Sequence, residues 1–240
     1  FLPGNSYLLM KQLNLDQDIV NYDLNQGCAG FIVGTQLARS MMLSNQASKI
    51  AVIFSDTYSK LIGDDDRGTK LLFGDGCAIA IFDNQIGPYK VCASKTKQLS
   101  RYCDLFITRE GAARDNYQSS APTIDMKGAA LLAVLSANAP DFLNDFLTAQ
   151  KLNFDDIDLV VCHQASGVAL DMIQKALGIP THKMFRNLEF YGNTTCASIP
   201  IALNEALFED STRKPQRVLV FGFGVGFVMG AQILEIDTIC

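Results

Sequence analysis

Apolar runs of two lengths alternate along the chain, short ones of strand size and longer ones of helix size, with glycine, asparagine and aspartate between them. Pro3-Gly4-Asn5-Ser6 ahead of Tyr7, Leu8, Leu9, Met10 and Leu13 predicts a capped helix. Ile19 to Leu24 predicts a short strand. From Ala29 to Leu43 the only charge is Arg39, and a helix apolar nearly all round is expected to be buried. Lys49 to Ser55 is almost continuously apolar, as in a strand covered on both faces. A polar loop, Asp64 to Thr69, follows, and Phe73-Gly74-Asp75-Gly76 turns into a strand from Cys77 to Phe82. Asn84 to Thr123 is mixed and predicts no clear element. Met126 to Gln150 is helical in composition, with a break expected near Asn138-Ala139-Pro140. Leu159 to Cys162 predicts a strand, Ser166 to Leu177 a helix ended by Gly178, and Thr195 to Phe208 another helix. Val218 to Phe221 and Val228 to Ile236 read as closing strands.

The order repeats weakly. A small-residue turn with Cys28 starts a helix and the strand from Ile50 follows; Asn193 and Thr194 start a helix and the strand from Val218 follows. Gly74-Asp75-Gly76 is echoed by the Gly222 to Gly226 turn. Two related α/β halves are expected, residues 1–125 and 126–240.

Composition narrows the function. With 48% hydrophobic and 19% charged residues, the 240-residue chain can bury a sizeable core. A net charge of -5 without a basic run argues against nucleic acid as a partner. Seven cysteines in an odd count, without a Cys-x-x-Cys pair, suit a reducing, cytoplasmic setting. Two histidines and no ligand-spaced cluster predict no metal. The longest uncharged run, Val218 to Leu234, is interrupted by glycines and is shorter than the roughly 20 residues of a membrane helix, so no membrane role is expected.

Three residues stand at predicted element junctions. Cys28 lies where a strand gives way to a helix, in Asn25-Gln26-Gly27-Cys28-Ala29-Gly30. Free amide groups and the helix dipole there favour a thiolate and can bring a cysteine pKa from about 8.5 to roughly 7. A buried structural thiol is the competing reading. His163 follows the Leu159 to Cys162 strand, where α/β folds place functional groups. Asn193, in Gly192-Asn193-Thr194, sits at a third junction. A papain-type protease shares the order Cys, His, Asn, but the chain has no tryptophan and no aromatic directly after the cysteine motif.

Asp23 to Phe31, Asp66-Arg67-Gly68-Thr69, Leu72-Phe73-Gly74-Asp75-Gly76, His163-Gln164-Ala165, Tyr191-Gly192-Asn193-Thr194 and the Gly222 to Gly230 turn together resemble the motifs of β-ketoacyl-acyl carrier protein synthase III, in that family's order. The resemblance implies a thiolase-like layered αβαβα fold with two related halves, here with the N-terminal half incomplete, working as a homodimer. It implies a decarboxylating condensation of an acyl-coenzyme A primer with a malonyl-acyl carrier protein, giving a 3-oxoacyl thioester for fatty acid or related biosynthesis. No cofactor is implied, because the coenzyme A thioesters are substrates. Cys28 would be the acylated nucleophile, and His163 and Asn193 would donate hydrogen bonds to the malonyl thioester oxygen. The N–H of Cys28 and one from Gly224 or Val225 would form the oxyanion hole. Phe223 would shield the cysteine, and Arg67 would contact the coenzyme A nucleotide.

The sequence also departs from the family. Gln26-Gly27 stand where relatives often carry two small apolar residues, which is expected to reshape the acyl pocket. After His163 the family usually has asparagine and then, two residues on, an arginine that grips the acidic carrier protein; here these are Ser166 and Val168. Lys175, Lys183 and Arg186 are the basic groups left to compensate. Two alternatives remain open on sequence: an acyltransferase of the same fold passing its acyl group to an oxygen or nitrogen nucleophile, and a non-catalytic partner subunit.

Overall fold

The structure is a computed structural model and describes residues 2–85, 87–108, 123–209 and 214–236. Helix α1 (Asn5–Leu13) buries none of its residues and closes on Asn14 in the left-handed conformation, φ 50°. Ile19 to Leu24 is not a strand. A strand needs a neighbour to take its backbone hydrogen bonds, and among the described residues none pairs with it. Its polar side chains serve α1 instead: Asp23 Oδ1 accepts from the Ser6 N–H at 2.9 Å and Asn21 Oδ1 from the Ser6 hydroxyl at 2.6 Å.

Gly27–Ala29 forms a single tight turn that runs into α2 (Gly30–Leu43). This helix is buried on one face only, by Phe31, Ile32, Gly34, Thr35 and Ala38, while Leu37 and Leu43 are exposed. Strand β1 (Lys49–Asp56) also has one covered side. Phe54 is buried and Ile53 exposed, because β1 is half of an antiparallel pair, not a central strand. The expected polar loop contains a short helix, α3 (Arg67–Lys70), whose N-cap Asp66 accepts the Thr69 N–H at 3.0 Å. Strand β2 (Gly76–Asp83) pairs with the whole of β1.

Sequence patterning gave no element for the next stretch. It contains β3 (Tyr89–Gln98) and β4 (Phe106–Thr108); residues 109–122 lie outside the described residues. After β5 (Ile124–Met126), which pairs with β4, comes α4 (Gly128–Ala149). The helix continues through Pro140, where a break was expected. An interior proline costs about 3 kcal/mol. Leu135, Phe142, Leu143, Phe146 and Leu147, all buried around it, each contribute about 1.5–3 kcal/mol and offset that cost.

The remaining elements are β6 (Leu159–Cys162), α5 (Gly167–Leu177), β7 (Met184–Phe185), α6 (Leu188–Tyr191), α7 (Ser198–Asn204), β8 (Arg217–Gly224) and β9 (Val228–Ile236). They form one sheet in the order β3-β9-β8-β6-β7, with β6 parallel to β7 and β8 and the other neighbours antiparallel. Strand β8 runs on to Gly224, so the turn is shorter than the Gly222 to Gly226 span expected. The expected division at residue 125 passes through this sheet, since β3 lies before it and pairs with β9 after it.

Side chains alternate across the sheet as its pleat requires. Val160, Leu219, Phe221 and Met229 face α4 and α5, with Phe142, Phe146, Leu170 and Ile173. Leu159, Val161, Val218 and Val220 face α2 and α7, with Phe31, Ile32, Ile199 and Ala202. Beyond α2 lies the β1–β2 pair, where Phe31 and Phe54 meet with ring centroids 5.2 Å apart. Four layers therefore follow one another: helices, the five-strand sheet, helices, the two-strand sheet. They are consecutive layers of the expected αβαβα order.

Candidate active site

Cys28 sits in the tight turn at the head of α2, 3% exposed. The end of β8 lies directly on it. A Cβ placed on Gly224 would fall 2.5 Å from the Cys28 Cβ and 3.1 Å from its sulfur, so only glycine fits. The backbone N–H of the next residue, Val225, and that of Cys28 itself are both aimed at the thiol. They lower its pKa, but burial acts more strongly and the nearby Asp56 carboxylate adds to it. The thiol is pushed up to about 12. The expected thiolate at the helix head is thus overturned, because a charge so deeply buried loses more in hydration than two amides return. At neutral pH the resting group is a neutral thiol.

His163 emerges from the end of β6, parallel to β8, and its N–H donates to the Phe221 carbonyl at 2.8 Å. The ring is 1% exposed, and burial pulls its pKa down from 6.5 to about 3, so it is neutral. Phe223 meets it edge-on, centroids 5.3 Å apart. On its far side Nδ1 lies 2.6 Å from the Ser198 Oγ.

Asn193 is fixed at both ends of its backbone by the Leu72–Gly74 segment: its N–H donates to the Leu72 carbonyl at 2.8 Å, and its carbonyl accepts from the Gly74 N–H at 3.1 Å. Its side-chain Nδ2 donates to the Ala165 carbonyl, two residues past His163, at 3.3 Å. Its Oδ1 accepts the Thr195 N–H at 3.0 Å. A continuous set of contacts therefore joins the three residues: Cys28 lies against Gly224, the neighbouring Phe223 meets the His163 ring, and the Ala165 N–H donates to the His163 carbonyl at 2.9 Å while the Ala165 carbonyl accepts from Asn193.

The other expected residues are more scattered. Arg67 is exposed at the start of α3, and Val168 is 64% exposed on the first turn of α5. Ser166 is the N-cap of α5, its Oγ accepting the Ala169 N–H at 3.2 Å, so this position serves the helix. Two of the three compensating cations are engaged within the fold. Arg186 reaches Asp171 at 2.6 Å and Gln174 at 2.7 Å, and Lys183 donates to the Phe154 and Asp155 carbonyls at 3.2 Å. Asp75 holds the turn after β1, accepting from the Ser59 N–H at 3.0 Å. Among the described residues no group of three or more His, Cys, Asp or Glu is placed to hold a metal ion, and no helix is long and apolar enough to cross a membrane.

Sequence reasoning missed four neighbours of this site. Asp56, at the end of β1, accepts from the Thr195 hydroxyl and, at 3.3 Å, from the Cys196 N–H. Tyr58 stacks at 5.4 Å on Phe73 and edge-on at 6.2 Å on Phe106. Its hydroxyl lies 3.3 Å from where a Cβ on Gly27 would be. Thr195 and Ser198 complete the set. A carboxylate closing an apolar strand was the one visible signal.

Two family models match the chain, 3-oxoacyl-[acyl-carrier-protein] synthase III over residues 22–99 and the C-terminal part of the same enzyme over residues 147–236. A β-ketoacyl-[acyl-carrier-protein] synthase III of Clostridium perfringens is 30% identical over 98% of this chain and 74% of its own. The crystal structure of a 3-oxoacyl-[acyl-carrier-protein] synthase III of Aquifex aeolicus superimposes with a TM-score of 0.85 at 27% identity, covering 98% of this chain and 72% of that one. That of a 3-oxoacyl-(acyl-carrier protein) synthase from Burkholderia xenovorans gives 0.88 at 25%, covering 98% and 70%. The thiolase-like α/β fold expected from the sequence is the fold these chains share.

Proposed function

Because the chain belongs to the 3-oxoacyl-[acyl-carrier-protein] synthase III family, we propose that it condenses an acyl-coenzyme A primer with a malonyl-acyl carrier protein through an acyl-Cys28 intermediate. The observation that carries this reading is the pair of N–H groups, Cys28 and Val225, aimed at one thiol, which the end of β8 links through Phe223 to His163, whose segment in turn contacts Asn193 at Ala165. The Cys28 sulfur attacks the primer's thioester carbonyl. The two N–H groups hold the oxygen as it becomes negative, and donors aimed at developing charge in a dry site are usually the largest catalytic term. Coenzyme A leaves with the thiol proton. His163 and Asn193 then hold the malonyl thioester oxygen while carbon dioxide departs and the C–C bond electrons form an enolate. Its carbon attacks the acyl-cysteine, and the Cys28 sulfur leaves, regaining a proton. Phe223 shields this chemistry from water, and Arg67 meets the coenzyme A nucleotide.

The working unit of this proposal is a homodimer, supported by the exposed apolar row Val20, Tyr22 and Leu24 beside the Cys28 turn. A second reading, acyl transfer to an oxygen or nitrogen nucleophile, is favoured by one observation. The carrier-docking position holds exposed Val168, and Arg186 and Lys183 are already engaged. Intact-mass measurement separates the readings. Acetyl-coenzyme A should add an acetyl mass at Cys28, and a malonyl thioester should remove it with release of carbon dioxide. Cys28→Ser should abolish both. Discharge only by an alcohol or amine selects acyl transfer, and no acylation by a panel of acyl thioesters rejects both enzymes in favour of a partner subunit.

A further inference from the structure

Thr195 has no exposed surface and a backbone φ of 51°, in the left-handed region that β-branched residues rarely enter. Each of its polar atoms is used. The N–H donates to Asn193 Oδ1 at 3.0 Å, which turns the Asn193 amide so that its Nδ2 is the end presented as donor. The hydroxyl donates to Asp56 Oδ2, on the other sheet. The carbonyl lies 2.9 Å from the Ser198 Oγ, which is itself 2.6 Å from His163 Nδ1.

Ser198 has one hydroxyl proton to give and two acceptors within reach. Given to Nδ1, it leaves the imidazole proton on Nε2, where the ring can donate to a substrate oxygen. Given to the Thr195 carbonyl, it lets Nδ1 carry the imidazole proton, and Nε2 is left a bare acceptor. The Nδ1 contact, at 2.6 Å, is shorter than the 2.9 Å contact to the Thr195 carbonyl, so with the carbonyl held at that distance the proton goes to Nδ1 and Nε2 keeps the donor role. A carbonyl that moves closer takes the proton and reverses that role.

We infer that Asp56 and Thr195 form a positioning pair: the Asp56 carboxylate holds Thr195 in its left-handed conformation, and Thr195 thereby aims the Asn193 amide and sets the His163 tautomer together. The inference rests on the condensing reading for its catalytic consequence, but not for its structural one. It assigns the two residues to the malonyl half of the reaction and not to acylation of Cys28. Asp56 is no help to the thiol, since its charge raises the Cys28 pKa.

The test uses Thr195→Val, which keeps the shape and loses the hydroxyl, Asp56→Asn, and the conservative Thr195→Ser. The chain has two histidines, so an ¹⁵N-histidine spectrum reads the His163 tautomer without any substrate. Thr195→Val and Asp56→Asn are expected to shift the His163 Nδ1 and Nε2 resonances, and Thr195→Ser to restore them. In single turnovers both disrupting variants should acylate Cys28 within about threefold of wild type. They should release carbon dioxide about tenfold or more slowly, as when a donor to a developing oxyanion loses its aim. Thr195→Ser should recover that rate. A His163 spectrum unchanged in both disrupting variants overturns the inference, as does a proportional fall of both half-reactions or failure of the serine variant to rescue. A shifted spectrum in a protein whose wild type releases no carbon dioxide upholds the positioning pair and removes the condensing reading alone.

Discussion

Gly224→Ala isolates the contact between β8 and the Cys28 turn. The new Cβ would fall 2.5 Å from the Cys28 Cβ and 3.1 Å from the sulfur. Carbon atoms settle at about 3.5–4.0 Å, so the two segments must part by about 1 Å. Neither neighbour is a flexible chain end: β8 is hydrogen-bonded between β6 and β9, and Cys28 heads a buried turn. Overpacking of this kind costs about 1–3 kcal/mol, and at this chain length each kcal/mol lowers Tm by about 2–4 °C. The larger effect falls on chemistry, because the displaced residue precedes Val225. A misplacement of about 1 Å costs about a hundredfold in rate, as does losing one oxyanion donor. Acylation of Cys28 by acetyl-coenzyme A, followed by intact mass, should therefore slow about a hundredfold while the protein stays folded. Gly167→Ala is the control, since nothing lies within 4 Å of its new Cβ. It should acylate normally. Acylation of the Gly224→Ala protein within about twofold of wild type would refute the reasoning that the β8 tip aims the Val225 amide.

Three further outcomes are expected. The unfolded chain protonates His163 near 6.5 and the folded one only near 3, so this group's stabilisation is complete above pH 6.5 and is lost as pH falls toward 3. The slope reaches about 1.4 kcal/mol per pH unit; His163→Gln should flatten it in urea titrations, and equal slopes in both proteins would count against burial as the cause. Tyr58→Ala removes the ring packed on Phe73 and Phe106 beside Gly27, and should raise the ratio of hexanoyl to acetyl primer use about tenfold; an unchanged ratio would place the acyl chain elsewhere. Val168→Arg adds a cation at an exposed position and should lower KM for an acidic carrier protein several-fold without changing kcat, the gain vanishing at high salt. A salt-insensitive change would exclude a docking role for this position.

The elements carrying the chemistry were legible because their local signals agree. Leu159 to Cys162 is apolar throughout, Ser166 and Gly178 bracket α5, and the Val218 and Val228 runs flank glycines. Cys28, His163 and Asn193 could be picked out since each stands where such a signal stops. What the pattern concealed depends on distant partners. Strand β3 alternates poorly because, among the described residues, it lies on the sheet edge, and its pairing with β9 has no trace in either sequence. Ile19 to Leu24 has strand composition but no partner strand among the described residues. Pro140 marks a break only until the apolar residues around it are placed against the sheet. The Cys28 pKa went the wrong way for the same reason: the helix head is local, whereas burial and Asp56 are tertiary. Asp56 shows locally only as a carboxylate closing an apolar strand; its role could not be read there, since its partners Thr195 and Cys196 lie well over a hundred residues on.

Strand β9 has a consequence for how the molecule is made. Among the described residues it is the sole partner of β3 and one of two partners of β8, so residue 98 waits for residue 228. A ribosome delivers Cys28 and its helix long before β9, and the strand that completes the sheet above them emerges among the last described residues. Until then Phe223, Gly224 and the thiol have no fixed relation, and the apolar faces of α2 and β3 stay uncovered. Cys28 thus acquires its setting only when synthesis has passed β9, which ties the assembly of the candidate site to the completion of the sheet.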